Sequence, residues 1–195
     1  FRKEYPEEFD STFQPIHQTQ LFADFITKQR LTPSKPLGKK VVYHDPCTLG
    51  RASGIYDEPR AVLQAIPDLE LVEIPHYNRE YSLCCGGGGL MLFYEPIEET
   101  RMGSLRVKMA EEAGANVIVT ACPFCMINIA DAIKTSGLEG KMEVMDLAEL
   151  VAGQLVVTDA PPDSCSVIVA VPAIAVVPAV PATAVSATEP ISTWP

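Results

Sequence analysis

The sequence is poor in basic residues. It has 15 Lys and Arg against 25 Asp and Glu among 195 residues, which gives a formal net charge of -10 at pH 7. A chain with this charge repels the phosphate backbone of nucleic acid and the anionic surface of a membrane. We therefore expect no nucleic-acid partner, and we expect membrane contact only through a partner subunit.

Motifs for hydrolysis and for secretion are also absent. No Ser-His-Asp or paired-carboxylate grouping stands out, so hydrolytic chemistry finds no support. No secretory signal opens the chain, which predicts a cytoplasmic protein with free thiols, held at the inner face of the membrane where a partner subunit anchors it. The chain begins with Phe1 in mid-pattern rather than with Met, and we expect a piece of a longer polypeptide.

Cysteine, by contrast, is frequent and grouped. Five of the six cysteines form three groups along the chain, namely Cys47, the vicinal pair Cys84-Cys85, and the Cys-x-x-Cys of Cys122 and Cys125. The vicinal pair and the Cys-x-x-Cys are poor disulfide staples because neither closes a long loop. Thiolates are soft ligands that select iron–sulfur clusters, zinc or Cu(I). The grouping therefore predicts a metal site, with ordinary buried cysteines as the alternative; Cys165 lies apart and receives no role.

Four consecutive glycines follow the cysteine pair, at positions 86 to 89. No Lys-Ser or Lys-Thr follows them and they form no G-x-G-x-x-G, so a nucleotide loop is poorly supported. Backbone without side chains can fold closely over a bulky cluster, and its N–H groups can donate to thiolates. We therefore predict that Gly86 and Gly87 contact the cofactor, with a flexible loop as the alternative.

Hydrophobic patterning predicts alternating strands and helices. Strands are expected at 40–44, 69–74, 116–120 and 142–145, and helices at 17–28, 57–66, 98–113, 123–134 and 146–151. We expect Asp57 to cap its helix. The apolar face of the helix at 98–113 is expected to hold Met102, Leu105, Met109 and Ala113. The alternation predicts an α/β fold with a mostly parallel sheet of about four strands and flanking helices.

Each cysteine group follows a different predicted strand. The loops beyond the carboxyl ends of parallel strands lie along one edge of the sheet, where ligands bind. The fold therefore predicts that cysteines far apart in sequence meet at a single site on that edge.

Two kinds of polar residue accompany the cysteines. His44 precedes the first group and is a candidate proton source or hydrogen-bond donor at the cluster, with a satisfied histidine at a strand end as an equal alternative. Four arginines flank the groups in sequence, and an arginine there offsets the negative charge of a thiolate cluster or holds an anionic substrate. We expect most of them to be solvated helix residues; they are Arg51, Arg60, Arg101 and Arg106.

Composition divides the chain into three parts. Residues 1–36 are expected to be a linker and helix from a preceding domain, and 37–155 the metal-binding domain. Residues 156–195 are rich in Ala, Val and Pro and are expected to be a disordered tail. The apolar stretch from 167 to 185 is nearly long enough to cross a membrane. Its prolines argue against a helix because each one removes a helical hydrogen bond.

Four segments together resemble the cysteine-rich CCG domain family. They are Val42–Arg51, Tyr56–Arg60, the Cys-Cys-Gly-Gly-Gly-Gly of 84–89 and the Thr-Ala-Cys-Pro-Phe-Cys of 120–125. The resemblance covers about residues 37 to 152. This family includes heterodisulfide reductases and electron-transfer-flavoprotein-linked, glycolate and lactate oxidation proteins. The resemblance implies a noncubane 4Fe-4S cluster on Cys47, Cys84, Cys85, Cys122 and Cys125.

The same resemblance implies an iron–sulfur oxidoreductase that reduces a disulfide or passes electrons to a thiol or quinone-linked partner. The chain has neither a second CCG motif nor a ferredoxin-like cysteine run. A ferredoxin-like or flavoprotein electron donor, on an upstream part of the chain or on a partner, is therefore expected. Two alternatives stay open. One is a pure electron-relay subunit of a lactate, glycolate or flavoprotein-linked dehydrogenase. The other is a structural zinc module, in which four thiolates close the site and a fifth has no function.

Overall fold

The structure is a computed structural model that describes residues 4–9, 12, 14–89, 91–93 and 100–156. The predicted tail from residue 157 onward lies outside the described residues. So does the predicted start of a helix at Glu98.

The core of the fold is a four-stranded parallel sheet. Its strands are β1 (Lys39–Tyr43), β2 (Leu69–Val72), β3 (Val117–Thr120) and β4 (Glu143–Asp146), in the order β2-β1-β3-β4. All three pairings are parallel, with Tyr43 opposite Val119 and Thr120 opposite Asp146. Both faces of the central strands are covered, and valine and isoleucine suit such strands. All four residues of β3 are buried. The predicted α/β fold is confirmed.

Helices connect and flank the strands. They are α1 (Glu4–Phe9), α2 (Gln18–Thr27), α3 (Asp57–Gln64), α4 (Met102–Glu112), α5 (Pro123–Thr135) and α6 (Leu147–Gly153). Two short 3-10 turns occupy Arg79–Tyr81 and Met91–Phe93. One prediction is wrong in detail: Asp57 is the first helical residue of α3, and Tyr56 occupies the cap position without a capping hydrogen bond from its side chain.

Two hydrophobic layers cover the two faces of the sheet. Alternate strand residues, including Val41 and Val119, pack with α3 and α6 on one face. The intervening residues, including Val42 and Ile118, pack with α4 and α5 on the other. Successive side chains of a strand point to opposite faces, so this division follows from the period of two.

The predicted apolar face of α4 packs against the core only in part. Met109 and Ala113 are partly buried there, whereas Met102 and Leu105 are 39% and 36% exposed. The buried residues of α4 are Gly103, Arg106, Val107 and Ala110. A Cβ added at Gly103 would lie 3.1 Å from the Cβ of Ala132 on α5. The glycine therefore lets the two helices approach closely, and that contact turns the larger apolar residues outward.

Helix α2 packs against the same domain. Its residues Phe22 and Ile26 are partly buried against the core of the first face, and Gln20 donates to Glu58 at 3.2 Å. The predicted domain boundary at residue 36 stays a prediction. Across the residues described, no helix is both long and apolar enough to span a bilayer.

Candidate metal centre

The strand order places the cysteine groups at a natural binding position. In the order β2-β1-β3-β4, the chain adds β2 on one side of β1 and then returns to add β3 and β4 on the other side. The loops after β1 and β3 therefore diverge and open a crevice at the carboxyl edge, where ligands of such sheets bind. Cys47 follows β1, and Cys122 follows β3.

Three buried side chains form the centre of the site. One ligand atom each from His44, Cys85 and Cys125 lies within 4.8 Å of the other two. The three residues come from the end of β1, the loop after β2 and the first turn of α5. Each is at most 4% exposed. The fold thus brings together two of the predicted ligands and the predicted histidine.

The other three cysteines lie around this centre. The thiol of Cys84 interacts electrostatically with those of Cys85 and Cys47, and the thiol of Cys122 interacts with those of Cys125 and Cys85. Cys84 and Cys122 are half-buried, whereas Cys47 is exposed. None of these five cysteines forms a disulfide. All five predicted ligands therefore meet at one edge of the sheet, with Cys47 on the solvent side; their role as ligands stays a prediction.

The glycine run wraps closely around two of the sulfurs. Gly86 donates its backbone N–H to Cys84 Sγ at 3.3 Å, and Gly87 donates to Cys85 Sγ at 3.4 Å. Gly86 has a φ of +86°, and a Cβ there would lie 2.9 Å from the Cβ of Met102. A Cβ at Gly87 would lie 3.2 Å from the carbonyl oxygen of Phe124. A larger residue would therefore have to displace its neighbours, and at Gly86 it would also meet backbone strain.

Neighbouring groups shift the pKa values of the thiols in opposite directions. The adjacent Cys125 thiol lowers the pKa of Cys85 to about 4, with help from His44 and the Gly87 N–H. It also lowers the pKa of Cys122 to about 6, with help from backbone N–H groups at the start of α5. Interaction with Cys122 and Cys85 raises the pKa of Cys125. Burial raises the pKa of Cys84. Thiols with lowered pKa values give up their protons readily to a metal cation.

His44 sits beside Cys85 as a neutral ring. Burial lowers its pKa, although a hydrogen bond with Cys85 acts in the other direction. Its Nδ1 is buried and has no hydrogen-bond partner among the described residues. The neutral imidazole can donate an N–H to the Cys85 thiolate and still keep an unpaired nitrogen next to the site.

A buried ion-pair network that the sequence did not reveal holds the loop between β1 and Cys47. Arg60 binds Asp45 through two hydrogen bonds of 2.7 and 2.9 Å, and it binds Glu73 at 2.6 and 3.0 Å. Asp45 also accepts the backbone N–H of Arg79 at 2.8 Å. Burial alone would lower the pKa of Arg60, but the two carboxylates raise it. The pair fixes a residue two positions before Cys47.

The arginines divide between the interior and the surface. Arg60 and Arg106 are buried, so the expectation of solvated helix residues is wrong for these two. Arg51 is exposed and donates to the carbonyl of Ser82, and the half-exposed Arg101 pairs with Asp131 at 3.2 Å. In the sequence, the signal for the buried Arg60–Asp45 pair was that both residues lie near the cysteine motif.

An apolar cleft of about 370 Å³ opens beside the cysteines. The loop that carries Cys47 forms one wall, through Pro46, Thr48 and Leu49. Cys122 and His17 also line the cleft. The cleft gives a small molecule a path to the solvent side of the site.

A parallel α/β sheet that gathers thiols from three loops at its carboxyl edge defines a cysteine-rich class of domain. Residues 41–130 match the family model described as CCG, cysteine-rich domain. The chain therefore carries a member of the CCG cysteine-rich domain family.

Several curated proteins are similar to this chain. The probable iron–sulfur-binding oxidoreductase FadF of Bacillus subtilis is 33% identical over 159 residues, which cover 82% of this chain and 22% of that protein. One component of the dihydromethanophenazine:CoB–CoM heterodisulfide reductase of Methanosarcina barkeri is 41% identical, over 73% of this chain and 34% of that protein. The EtfAB:quinone oxidoreductase of Syntrophomonas wolfei is 36% identical, over 76% of this chain and 21% of that protein. This chain therefore spans between about a fifth and a third of the length of these relatives.

Proposed function

We propose that this domain binds an iron–sulfur cluster and serves as the redox centre of an oxidoreductase. The observation that carries the proposal is the meeting of five thiols from three separate loops at one edge of the sheet. The relatives support it, because all three are named as oxidoreductases or reductases and one is named as iron–sulfur-binding. We further propose that the cluster is a noncubane 4Fe-4S cluster held by Cys47, Cys84, Cys85, Cys122 and Cys125.

The residues fit such a group. Five soft thiolates exceed the four that a cubane cluster or a structural zinc ion needs. Two backbone N–H groups already point at sulfur, from Gly86 and Gly87. The lowered pKa values of Cys85 and Cys122 favour the thiolates that a metal cation binds. Zinc remains the alternative, and it would leave one thiol without a bond.

The reaction we propose is the reduction of a disulfide, in which two electrons and two protons convert one disulfide into two thiols. The bound cluster would supply the electrons singly. The residues of the chain would do the rest. The cleft beside Cys122 would position the disulfide, the N–H groups of Gly86 and Gly87 would stabilise negative charge on sulfur, and His44 would hold a proton beside Cys85. The electrons would come from a ferredoxin-like or flavoprotein donor.

A pure electron relay is the second candidate, and one observation favours it. Three apolar side chains of α4 and α5 are exposed: Phe124 by 53%, Ile127 by 55% and Met102 by 39%. Exposed apolar surface of this kind favours coverage by another protein or domain. The exposure of Cys47 and the cleft at its loop favour direct access for a small substrate instead. The thiol or quinone-linked acceptor of a relay would dock on that apolar surface.

Metal analysis of the whole chain tests the proposal. Protein purified without oxygen and supplied with ferrous iron and sulfide should hold about four irons and four sulfides per chain and should give a paramagnetic signal. Addition of 2-hydroxyethyl disulfide should change that signal if the site is catalytic, and should leave it unchanged if the site is a relay. Cys85→Ala should lower the iron content and alter the signal. Cys165→Ala, which removes a cysteine outside the constellation, should change neither.

One zinc per chain, no acid-labile sulfide and equal metal content in the Cys85→Ala and Cys165→Ala variants would contradict the redox proposal. That result would support the structural zinc module.

A further inference from the structure

Arg106 is a fully buried cation behind the cysteine site. Its relative exposure is 0%, and it projects from the middle of α4 into the domain. Nη1 donates to the carbonyl oxygen of Tyr77 at 2.6 Å, and Nη2 donates to that of Tyr43 at 3.4 Å. Nε is buried without a partner among the described residues. The guanidinium is therefore held by neutral carbonyl groups.

The two buried arginines differ in how their charges are compensated. Arg60 contacts the carboxylates of both Asp45 and Glu73. No carboxylate among the described residues lies within ion-pair distance of Arg106, although Asp45 and Glu73 act on it from farther away. The two arginines and the two carboxylates together carry no net charge, but both carboxylates contact Arg60. Arg106 forms the positive end of this arrangement.

That positive end lies toward the proposed cluster. Arg106 interacts electrostatically with Cys125 and with His44, two of the three groups at the centre of the site. Tyr43, whose carbonyl accepts from Arg106, directly precedes His44 in the chain. Burial lowers the pKa of Arg106 to about 10, which still leaves the side chain charged at pH 7.

A buried cation without a carboxylate in contact destabilises a fold unless another negative charge compensates it. A cluster on five thiolates is such a charge, and it becomes more negative with each electron that it accepts. Coulomb attraction grows with that charge, so a fixed cation stabilises the reduced cluster more than the oxidised one. With the iron–sulfur function as its basis, we propose that Arg106 is the counter-charge that raises the reduction potential of the cluster.

The test is a potentiometric titration of the reconstituted full chain, followed by electron paramagnetic resonance. Arg106→Gln should shift the midpoint potential to a more negative value. Arg106→Lys keeps the charge and should stay close to the wild-type potential. Lys108→Gln is the matched control because it removes the same charge from an exposed position of the same helix, and it should cause no shift.

Iron and sulfide content measured on the same samples separates the possible failures. If the wild-type chain takes up no iron and no sulfide, the proposed function fails and this inference fails with it. If the cluster forms but Arg106→Gln keeps the wild-type potential, the inference alone is overturned. If Arg106→Gln does not fold, Arg106→Lys decides. A large negative shift in that charge-keeping variant would show that hydrogen bonding, and not charge, is what matters at this position.

Discussion

Removing Arg60 should destabilise the domain strongly. The Asp45 side chain is 1% exposed and that of Arg60 is 5% exposed, so each charge is stabilised by the other rather than by water. In the Arg60→Gln variant the Asp45 carboxylate stays buried and keeps the backbone N–H of Arg79 as its remaining donor. Breaking a buried pair in this way costs about 3–5 kcal/mol. A domain of ordinary stability has about 5–15 kcal/mol in total, so the variant should be close to unfolding.

The contribution of Glu73 to this loss is small. Its side chain is 38% exposed, and solvent screens pairs of that kind to about 0–1 kcal/mol. Asp45→Asn should therefore cost less than Arg60→Gln, because Arg60 keeps Glu73 as a partner. The double variant should cost less than the sum of the two single variants, since neither charge is then left alone.

Urea denaturation of the metal-free protein, followed by circular dichroism, measures these differences. Lys28→Gln is the control because it breaks an exposed pair with Asp24, whose side chain is 46% exposed. That change should cost about 0.3–0.5 kcal/mol. An Arg60→Gln variant no less stable than Lys28→Gln would refute the assignment of a structural role to the buried pair.

Three further predictions concern single positions. Gly86→Ala should lower the iron retained after reconstitution, since Gly86 lacks room for a Cβ, whereas Gly88→Ala meets nothing within 4 Å and should retain as much iron as the wild type. Asn128→Ala removes a donor to the carbonyl of Cys85 and should broaden the paramagnetic signal of the reconstituted protein. The neutral ring of His17 caps α2, and burial lowers its pKa. The unfolded chain therefore takes up a proton first, and stability should fall as the pH drops below about 6.5. His17→Asn should weaken that fall in urea midpoints measured between about pH 7.5 and pH 5, because asparagine also caps helices but does not titrate.

Each of these predictions has a contrary result. Equal iron in the Gly86 and Gly88 variants would show that the loop is not shaped around the metal. An unchanged signal in Asn128→Ala would mean that the Cys85 backbone is held by other contacts. Identical pH profiles for the wild type and His17→Asn would show that the cap does not titrate in this range.

Local patterns were enough to predict the strands and the edge on which the cysteines meet. Continuous apolar runs such as Val117–Thr120 mark buried strands, and Cys47 and Cys122 come soon after such runs. Gly114 follows α4 with a φ of +75°, a conformation that glycine adopts readily at the end of a helix, so this helix end is also encoded locally. These features depend on neighbours in sequence, which is why the sequence carries them.

Features that depend on distant contacts were not predictable in the same way. A helical face that contains Arg106 looks polar, so patterning left this buried arginine off the apolar face of α4. The burial of Arg60 depends on Asp45 and Glu73, which the chain brings together only after β1 and β2 have paired. The cleft beside Cys122 depends on the order of the strands, and periodicity contains no information about that order.

The gathering of thiols from three loops also affects how the domain is held together. A cluster bound to Cys47 and Cys125 would connect chain segments that lie 78 positions apart in the numbering (125 minus 47), and it would do so without a disulfide. Such a link acts as a removable crosslink, because metal bound by the folded state alone adds its binding free energy to folding. Damage to the cluster by oxygen would then remove the electron carrier and the crosslink together, and Cys47 is the most accessible of the five cysteines.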